Sequence, residues 1–257
     1  MKERNDRVSD NVGPVFGLSH SSLHIIAMLI MLCDHVGGTL LKGQVWMRYV
    51  GRLAFPIFCF LLVEGFYHTH NKKKYLTRLA VFGLISELPF DLALFSRVYW
   101  KAQNVMWTFL IGLVCLIVLG KVKTYDKLDR LYKIALSILV TLGFCWLADM
   151  FKTDYSGAGV LQIVIFYYLR SNSFRIKALQ LPCVWWINSQ LLGTLYRTHE
   201  ILGMAVKVHL QTYAVLSLVF IWLYNGKKGI KSKVFKWVCY LFYPVHLSVL
   251  YLLSLAL

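Results

Sequence analysis

Long apolar runs alternate with short polar linkers along most of this chain. A helix that crosses a bilayer needs about 20 mostly apolar residues, and nine runs approach or reach that length. They cover residues 21–41, 47–67, 75–96, 105–120, 134–151, 157–169, 178–196, 210–224 and 237–257. The pattern predicts an all-α, polytopic integral membrane helix bundle with about nine transmembrane helices.

The Lys and Arg residues are divided unevenly between alternate linkers. With nine crossings, 20 of the 28 basic residues lie on the side of the N-terminus and 8 lie on the opposite side or on the helix ends beside it. Cytoplasmic loops carry the excess of basic residues in membrane proteins. We therefore expect a multi-pass protein of the inner (cytoplasmic) membrane, with the N-terminus inside and the C-terminus outside. Residues 1–20 would form a cytoplasmic segment, and residues 21–257 a single transmembrane domain.

The composition agrees with this class. Hydrophobic residues make up 58% of the 257 positions and charged residues only 16%, with a mean hydropathy of +0.58; soluble domains carry about 25% charged residues. A net charge of +16 would by itself indicate nucleic acid or a membrane surface. Because the topology already explains this charge, we expect membrane lipids as partners and no nucleic acid. The sequence has no spacing typical of a zinc site, a nucleotide-binding loop or a serine elbow, so no metal is expected.

Several ionisable side chains lie inside the predicted spans. They are Asp34, His35, Arg52, Glu64, Glu87, Asp91, Asp149 and His246. Such groups are unfavourable in hydrocarbon and normally face a partner or a hydrated cavity. They are therefore candidate functional residues, although a purely structural ion pair is the alternative for each of them.

The first predicted span carries a polar stripe. Ser21, His24, Met28, Met31 and His35 recur at helical spacing, with Asp34 on the flank. A histidine can take and return a proton near neutral pH, and a neighbouring acid can orient it. We therefore predict that His35 acts as a general base and that Asp34 orients it, with simple hydrogen bonding inside the bundle as the alternative.

Several motifs resemble the TraX family, most densely between residues 23 and 110. They are residues 23–28, 34–35, 51–58, 64–69, 74–75, 78–79, 86–91 and 104–105, followed by 154–159 and 243–247. The resemblance covers nearly the whole chain, although residues 170–235 match in hydropathy alone. TraX proteins are named for N-terminal acetylation of F-type pilin during conjugation, and they are similar to the wider group of multispanning membrane acyltransferases.

The resemblance implies an acetyltransferase that uses cytoplasmic acetyl-CoA as its acyl donor. The acceptor would be a pilin-like N-terminal amine, a peptide or a surface glycan, at or across the membrane. Acyl transfer needs a base and donors for the developing oxyanion. His35 and Asp34 would supply the first, with an acyl-histidine intermediate left open, and Arg52 or Asn104 the second.

The remaining candidate residues have binding roles. Lys74 and Arg78 would bind the phosphates of CoA. The alternative is that these charges only set the orientation of the protein in the membrane. The expected residues of the substrate cavity are Glu64, His68, Glu87, Asp91, Asn104, Asp154 and His246.

Two other functions fit the same residues. A proton-coupled secondary transporter or flippase also uses buried acids, a histidine and proline-broken helices, but the chain shows no paired halves. A non-catalytic assembly scaffold would tolerate replacement of Asp34 and Arg52. Acetyl transfer without any ion gradient would distinguish an enzyme from both.

Overall fold

The protein is a helical membrane protein. The computed structural model describes residues 17–193, 196–201 and 204–257. Within these residues, five helical stretches are long and apolar enough to cross a bilayer: His20–Thr39, Val45–His68, Val105–Thr124, Arg130–Met150 and Lys233–Ala256. Most of the expected cytoplasmic segment, residues 1–16, lies outside the described residues.

The helices and strands follow one another in a simple order. They are α1 (His20–Thr39), α2 (Val45–Gly51), α3 (Ala54–His68), α4 (Lys72–Phe95), α5 (Val105–Thr124), α6 (Arg130–Met150), α7 (Ser156–Tyr168), α8 (Phe174–Trp186), β1 (Tyr196–Ile201), β2 (Met204–His209), α9 (Ser217–Trp222) and α10 (Lys233–Ala256). A π-helical turn, Ile187–Leu191, extends α8, and a 3₁₀ stretch, Leu210–Leu216, precedes α9. Side-chain caps fix four of the starts, by Ser19 at α1, Asn71 at α4, Asn104 at α5 and Ser232 at α10.

Each of the nine predicted runs contains a helical element, with two differences. The second run is interrupted after Gly51, so α2 and α3 are separate helices. The seventh run was predicted to continue to Tyr196, which is wrong: the helical backbone ends at Leu191, and Tyr196 begins an antiparallel hairpin of β1 and β2. Since α7 and the stretch Leu210–Trp222 are apolar but short, the number of crossings and their orientation stay predictions.

Helix α3 is the centre of the bundle. Eleven of its 15 residues are buried, and it packs against α1, α5, α7 and α9. Helix α6 is the opposite case, because only Thr141 and Ala148 are buried and large side chains such as Trp146 are exposed. Exposed apolar side chains are favourable in lipid, so α6 belongs to the periphery, whereas α3 lines a cavity inside the bundle.

Candidate functional site

Two cavities meet inside the bundle near the end of α1. The long cavity has a volume of about 730 Å³, and the second cavity about 930 Å³. Four residues line both of them: Asp34, His35, Asp154 and Tyr155. These four, which we call the junction residues, therefore form the boundary between two separate spaces.

The long cavity follows α1. The polar stripe identified in the sequence lines it, from Ser21 at one end to His35 at the other. These two residues are about 21 Å apart at the helical rise of 1.5 Å per residue. The intervening wall includes Met28, Phe58 and Phe109. At the end where α1 begins, the lining becomes basic, with Arg78, Lys228, Lys231, Lys233 and Lys236.

The second cavity lies on the other side of the junction. Its lining includes Arg48 and Arg52 from α2 and the residue after it, Lys152 from the loop before α7, and Gln211. Charged and amide side chains surround the junction on this side, whereas the middle of the long cavity is mostly apolar. The two spaces therefore suit ligands of different chemistry.

The junction imidazole of His35 has a buried histidine partner. Nδ1 of His35 lies 2.7 Å from Nε2 of His246, and Nδ1 of His246 lies 2.6 Å from the carbonyl oxygen of Phe242. A carbonyl only accepts, so neutral His246 carries its proton on Nδ1 and accepts at Nε2. His35 must then donate from Nδ1, which leaves a lone pair on its Nε2. His246 does not line either cavity, so it reaches the site only through His35.

Asp34 has a different role from the one expected. Its carboxylate accepts from Arg52 at 2.6 and 2.7 Å and pairs with Arg48 at 3.0 Å, while His35 is held by His246. Consecutive side chains on a helix diverge by about 100°, so one helix position cannot readily orient its neighbour. Asp34 instead pairs with two guanidinium groups at the junction.

Close backbone packing brings this ion pair together. A Cβ atom built on Gly51 would lie only 2.2 Å from Cβ and Oδ1 of Asp34. Only glycine allows α2 to approach α1 this closely, and the approach places Arg52 within hydrogen-bond reach of Asp34. Gly51 is therefore a structural requirement of the site.

A row of buried amides continues from Arg52. Arg52 donates to Gln211 (3.3 Å), Gln211 donates to Asn188 (3.0 Å), and Asn188 donates to Gln162 (2.8 Å). These three amides are almost fully buried and link the site to α7 and the π-helical turn after α8. They hold the Arg52 guanidinium in one orientation. They were not predicted from the sequence, because uncharged amides in apolar runs do not stand out as ionisable residues do.

The loop that contributes Asp154 and Tyr155 has a strained backbone. Lys152, Tyr155 and Ser156 have φ values of 53°, 64° and 48°, a region that non-glycine residues seldom adopt and that costs about 1–3 kcal/mol each. Several contacts hold the loop in place: Tyr155 stacks on Phe55 with ring centroids 3.5 Å apart, and Thr108 donates to the Asp154 carbonyl. Such strain is typical of functional loops, and it was not visible in the sequence.

The electrostatics of this loop favour proton exchange. Burial raises the pKa of Asp154 to about 6, although the Arg52 guanidinium acts in the opposite direction. Burial also raises the pKa of the Tyr155 hydroxyl well above its usual value. Asp154 therefore changes its charge within the physiological range, whereas Tyr155 keeps its proton and is a neutral hydrogen-bond donor.

Glu64 and His68 line the long cavity, as the sequence predicted, but Glu64 is not a free carboxylate. Arg170 donates to it from Nε at 2.6 Å and from its terminal nitrogen at 3.2 Å, and Nε2 of His68 lies 3.3 Å away. Only 2% of the Glu64 side chain is exposed. Arg170, counted in the sequence only as a topology charge, is thus the main partner of a buried acid.

Five of the predicted site residues lie outside the lining of both cavities: His246, described above, and Glu87, Asp91, Asn104 and Lys74. Glu87 accepts from the indole of Trp107 at 2.5 Å, and Asp91 accepts from the Tyr99 amide at 2.8 Å. Asn104, buried, donates to the Gly83 carbonyl and caps α5. Its amide is engaged in these two hydrogen bonds, so the prediction that Asn104 is an oxyanion donor is wrong. No group of three potential metal ligands occurs in the described part of the chain.

The fold and the site together define the class of protein. It is a membrane helix bundle in which titratable residues separate two cavities. Residues 19–254 match the family model described as "TraX protein". The chain therefore belongs to the TraX family, as its motifs indicated.

Individual relatives agree with this assignment. The chain is 28% identical over 242 residues to "Probable fimbrial assembly protein FimC, serogroup H1" of Dichelobacter nodosus, covering 89% of this chain and 92% of that protein. It is 28% identical over 159 residues to "Protein TraX" of Escherichia coli, covering 61% and 58% of the two chains. No solved structure matches.

Proposed function

We propose that this protein is an acetyltransferase of the inner membrane that moves an acetyl group from cytoplasmic acetyl-CoA to an acceptor on the outer side. The observation that carries the proposal is the junction, where an imidazole with a free lone pair lines both cavities. A donor in one cavity and an acceptor in the other would reach the same atom without meeting. Acetyl-CoA supplies an activated thioester, so the transfer needs no other energy source.

The distribution of charge supports this orientation. The basic end of the long cavity belongs to the linkers that the sequence assigns to the cytoplasm, and acetyl-CoA is a cytoplasmic anion. The second cavity then opens outward. Orientation and donor are parts of the proposal and are tested with it.

In the first half-reaction, Nε2 of His35 attacks the thioester carbonyl carbon. The new N–C bond forms as the C–S bond breaks, and CoA leaves as the thiolate. The proton on Nδ1 of His35 passes along the 2.7 Å hydrogen bond to Nε2 of His246, so the acetylated imidazole ends neutral. The neutral Tyr155 hydroxyl and the Arg52 guanidinium are the donors available for the developing oxyanion.

In the second half-reaction, an acceptor amine or hydroxyl attacks the acetyl carbon from the second cavity. The N–C bond to His35 breaks, and His246 returns its proton to Nδ1 of His35. The proton lost by the acceptor goes to the carboxylate of Asp154, whose pKa of about 6 suits a base at neutral pH. Both histidines return to their starting states.

The acceptor is the least constrained element. An exported N-terminal amine, a peptide and a surface glycan all fit an outward-facing cavity. One relative is named as a fimbrial assembly protein, which makes a subunit of a surface fibre the first acceptor to test.

The test uses purified full-length protein in lipid nanodiscs, with acetyl-labelled CoA and no ion gradient. We expect release of the CoA thiol and label retained on the protein until an acceptor amine is added. The His35→Ala variant should do neither. Leu29→Ala on the same helix, whose side chain is 60% exposed, is the matched control. Normal thiol release by His35→Ala would refute the assignment, and thiol release that occurs only in sealed vesicles with a proton gradient would favour the transporter alternative.

A further inference from the structure

Five cations at the start of the long cavity have no role in the junction chemistry. Arg78, Lys228, Lys231, Lys233 and Lys236 line its wall there, and we call them the basic mouth. Among the described residues, none of the five forms a salt bridge, and the nearby carboxylate of Glu64 is taken by Arg170. Unpaired cations on one concave surface create a positive potential that attracts anions.

The loop that carries Lys228 and Lys231 is fixed to the start of α1. The His20 amide donates to the Lys227 carbonyl at 2.8 Å. The Ser21 hydroxyl donates to the Lys228 carbonyl at 2.9 Å and accepts from the Ile230 amide at 2.9 Å. A linker that only marks the cytoplasmic side needs no defined conformation, so this loop is a built feature.

One glycine makes this fastening possible. Gly229 has a φ of 73°, and a Cβ there would lie 2.5 Å from Oγ of Ser19. A side chain at this position would be strained and would push the loop away from α1. The Lys228 and Lys231 side chains on either side would then leave the cavity wall.

The basic mouth differs from the other basic linkers assigned to the same side because its side chains line the long cavity. Neither Lys72–Lys74 nor Lys121, Lys123 and Lys127 line the long cavity. Topology depends on how many charges a linker carries and not on where they point. The convergence of one subset on a cavity therefore needs a second explanation.

We propose that the basic mouth binds the phosphate groups of a nucleotide-linked thioester, which on the proposed function is acetyl-CoA. Lys and Arg pair strongly with phosphate oxygens. Beyond the mouth, the wall is uncharged around Met28, Phe58 and Phe109, which suits the long neutral arm that joins the phosphates to the thioester. The cavity then directs that arm to His35.

The experiment measures binding of CoA and of dephospho-CoA, which lacks the 3′-phosphate, by calorimetry in zwitterionic nanodiscs. The mouth variant is Lys228→Gln/Lys231→Gln/Lys236→Gln, and its matched control is Lys121→Gln/Lys123→Gln/Lys127→Gln, which removes the same charge from exposed positions. We expect wild type and control to bind CoA more tightly than dephospho-CoA. The mouth variant should bind CoA at least about tenfold more weakly and lose the preference, as expected when charge-assisted phosphate contacts are removed.

Three results would overturn this inference. They are equal CoA affinity in the mouth variant and the control, no CoA binding by the wild type, and CoA binding that phosphatidylglycerol in the nanodisc abolishes, which would indicate a lipid headgroup site. A Lys228→Arg/Lys231→Arg/Lys236→Arg variant, which keeps the charge, should retain binding and excludes misfolding as the cause. If binding depends on the mouth but no acetyl is transferred, the proposed function fails and the inference stands.

Discussion

The histidine pair gives the most direct prediction. In the His246→Ala variant, Nδ1 of His35 loses its acceptor, so its proton has nowhere to go when Nε2 attacks. Removing a positioned general base lowers a rate by about 10²–10⁴. Only 7% of His246 is exposed, so bulk water cannot replace it, and we expect the upper part of this range. A loss of 10³–10⁴ corresponds to about 4–5.5 kcal/mol in the activation free energy.

The assay is single-turnover release of CoA thiol from acetyl-CoA, with CoA affinity measured in parallel. We expect the rate to fall while CoA binding is unchanged, because His246 does not line the long cavity. Added imidazole should restore part of the rate by filling the space left by the ring. Ser248→Ala is the control, since within the described residues that hydroxyl bonds to the Pro244 carbonyl of its own helix. A wild-type rate in folded His246→Ala protein would refute the relay, and a slow rate that imidazole leaves unchanged would indicate a packing role.

Three further predictions concern stability and pH. Arg170→Ala leaves the carboxylate of Glu64 buried without its main partner, so thermal unfolding should show a free energy of unfolding that is lower by about 3 kcal/mol. This is the lower end for a broken buried ion pair, because 30% of the Arg170 side chain is exposed. An unchanged free energy of unfolding would show that His68 and solvent suffice to stabilise Glu64. Asp154 accepts a proton only when it is ionised, so the rate of acetyl transfer to an amine should rise as the pH increases through about 6. The pH profile of Asp154→Asn, measured by stopped flow, should lack that rise. A profile like that of the wild type would show that another group accepts the proton. Gly51→Ala places a Cβ against Asp34, so calorimetry should show a free energy of unfolding that is lower by about 1–3 kcal/mol. A stability equal to that of the wild type would contradict the close approach of α2 to α1.

Charged residues in apolar runs were good predictors of the site. Asp34 and His35 stand out in the sequence because they lie inside an apolar run, and both line the junction. Asp154, which also lines the junction, lies just beyond the run 134–151. Their partners were harder to predict. His246 is 211 positions from His35, and no local pattern joins residues so far apart. The sequence does not show that Asp34 pairs with Arg52, because this ion pair depends on the close packing at Gly51.

Other features give no distinctive signal in one sequence. Gln162, Asn188 and Gln211 are neutral amides, so they resemble ordinary helix residues until their hydrogen bonds are seen. The positive φ of Tyr155 occurs together with its stacking against Phe55, a tertiary contact that one sequence does not show. In the sequence, the lysines of the basic mouth cannot be distinguished from the lysines of the other cytoplasmic linkers predicted here. Only the folded structure shows that they line the long cavity. The hairpin of β1 and β2 was missed because hydropathy over long windows averages out short strands.

The shared lining of the two cavities has a consequence for compartment integrity. If the transfer runs as proposed, the partition between cytoplasm and exterior at this point consists of the four junction residues. A two-carbon unit is then the largest object that has to pass, so the bulky carrier stays inside the cell and a large recipient need only touch the outer rim. Export of an acyl group would thus require neither a rocking transporter nor an open pore.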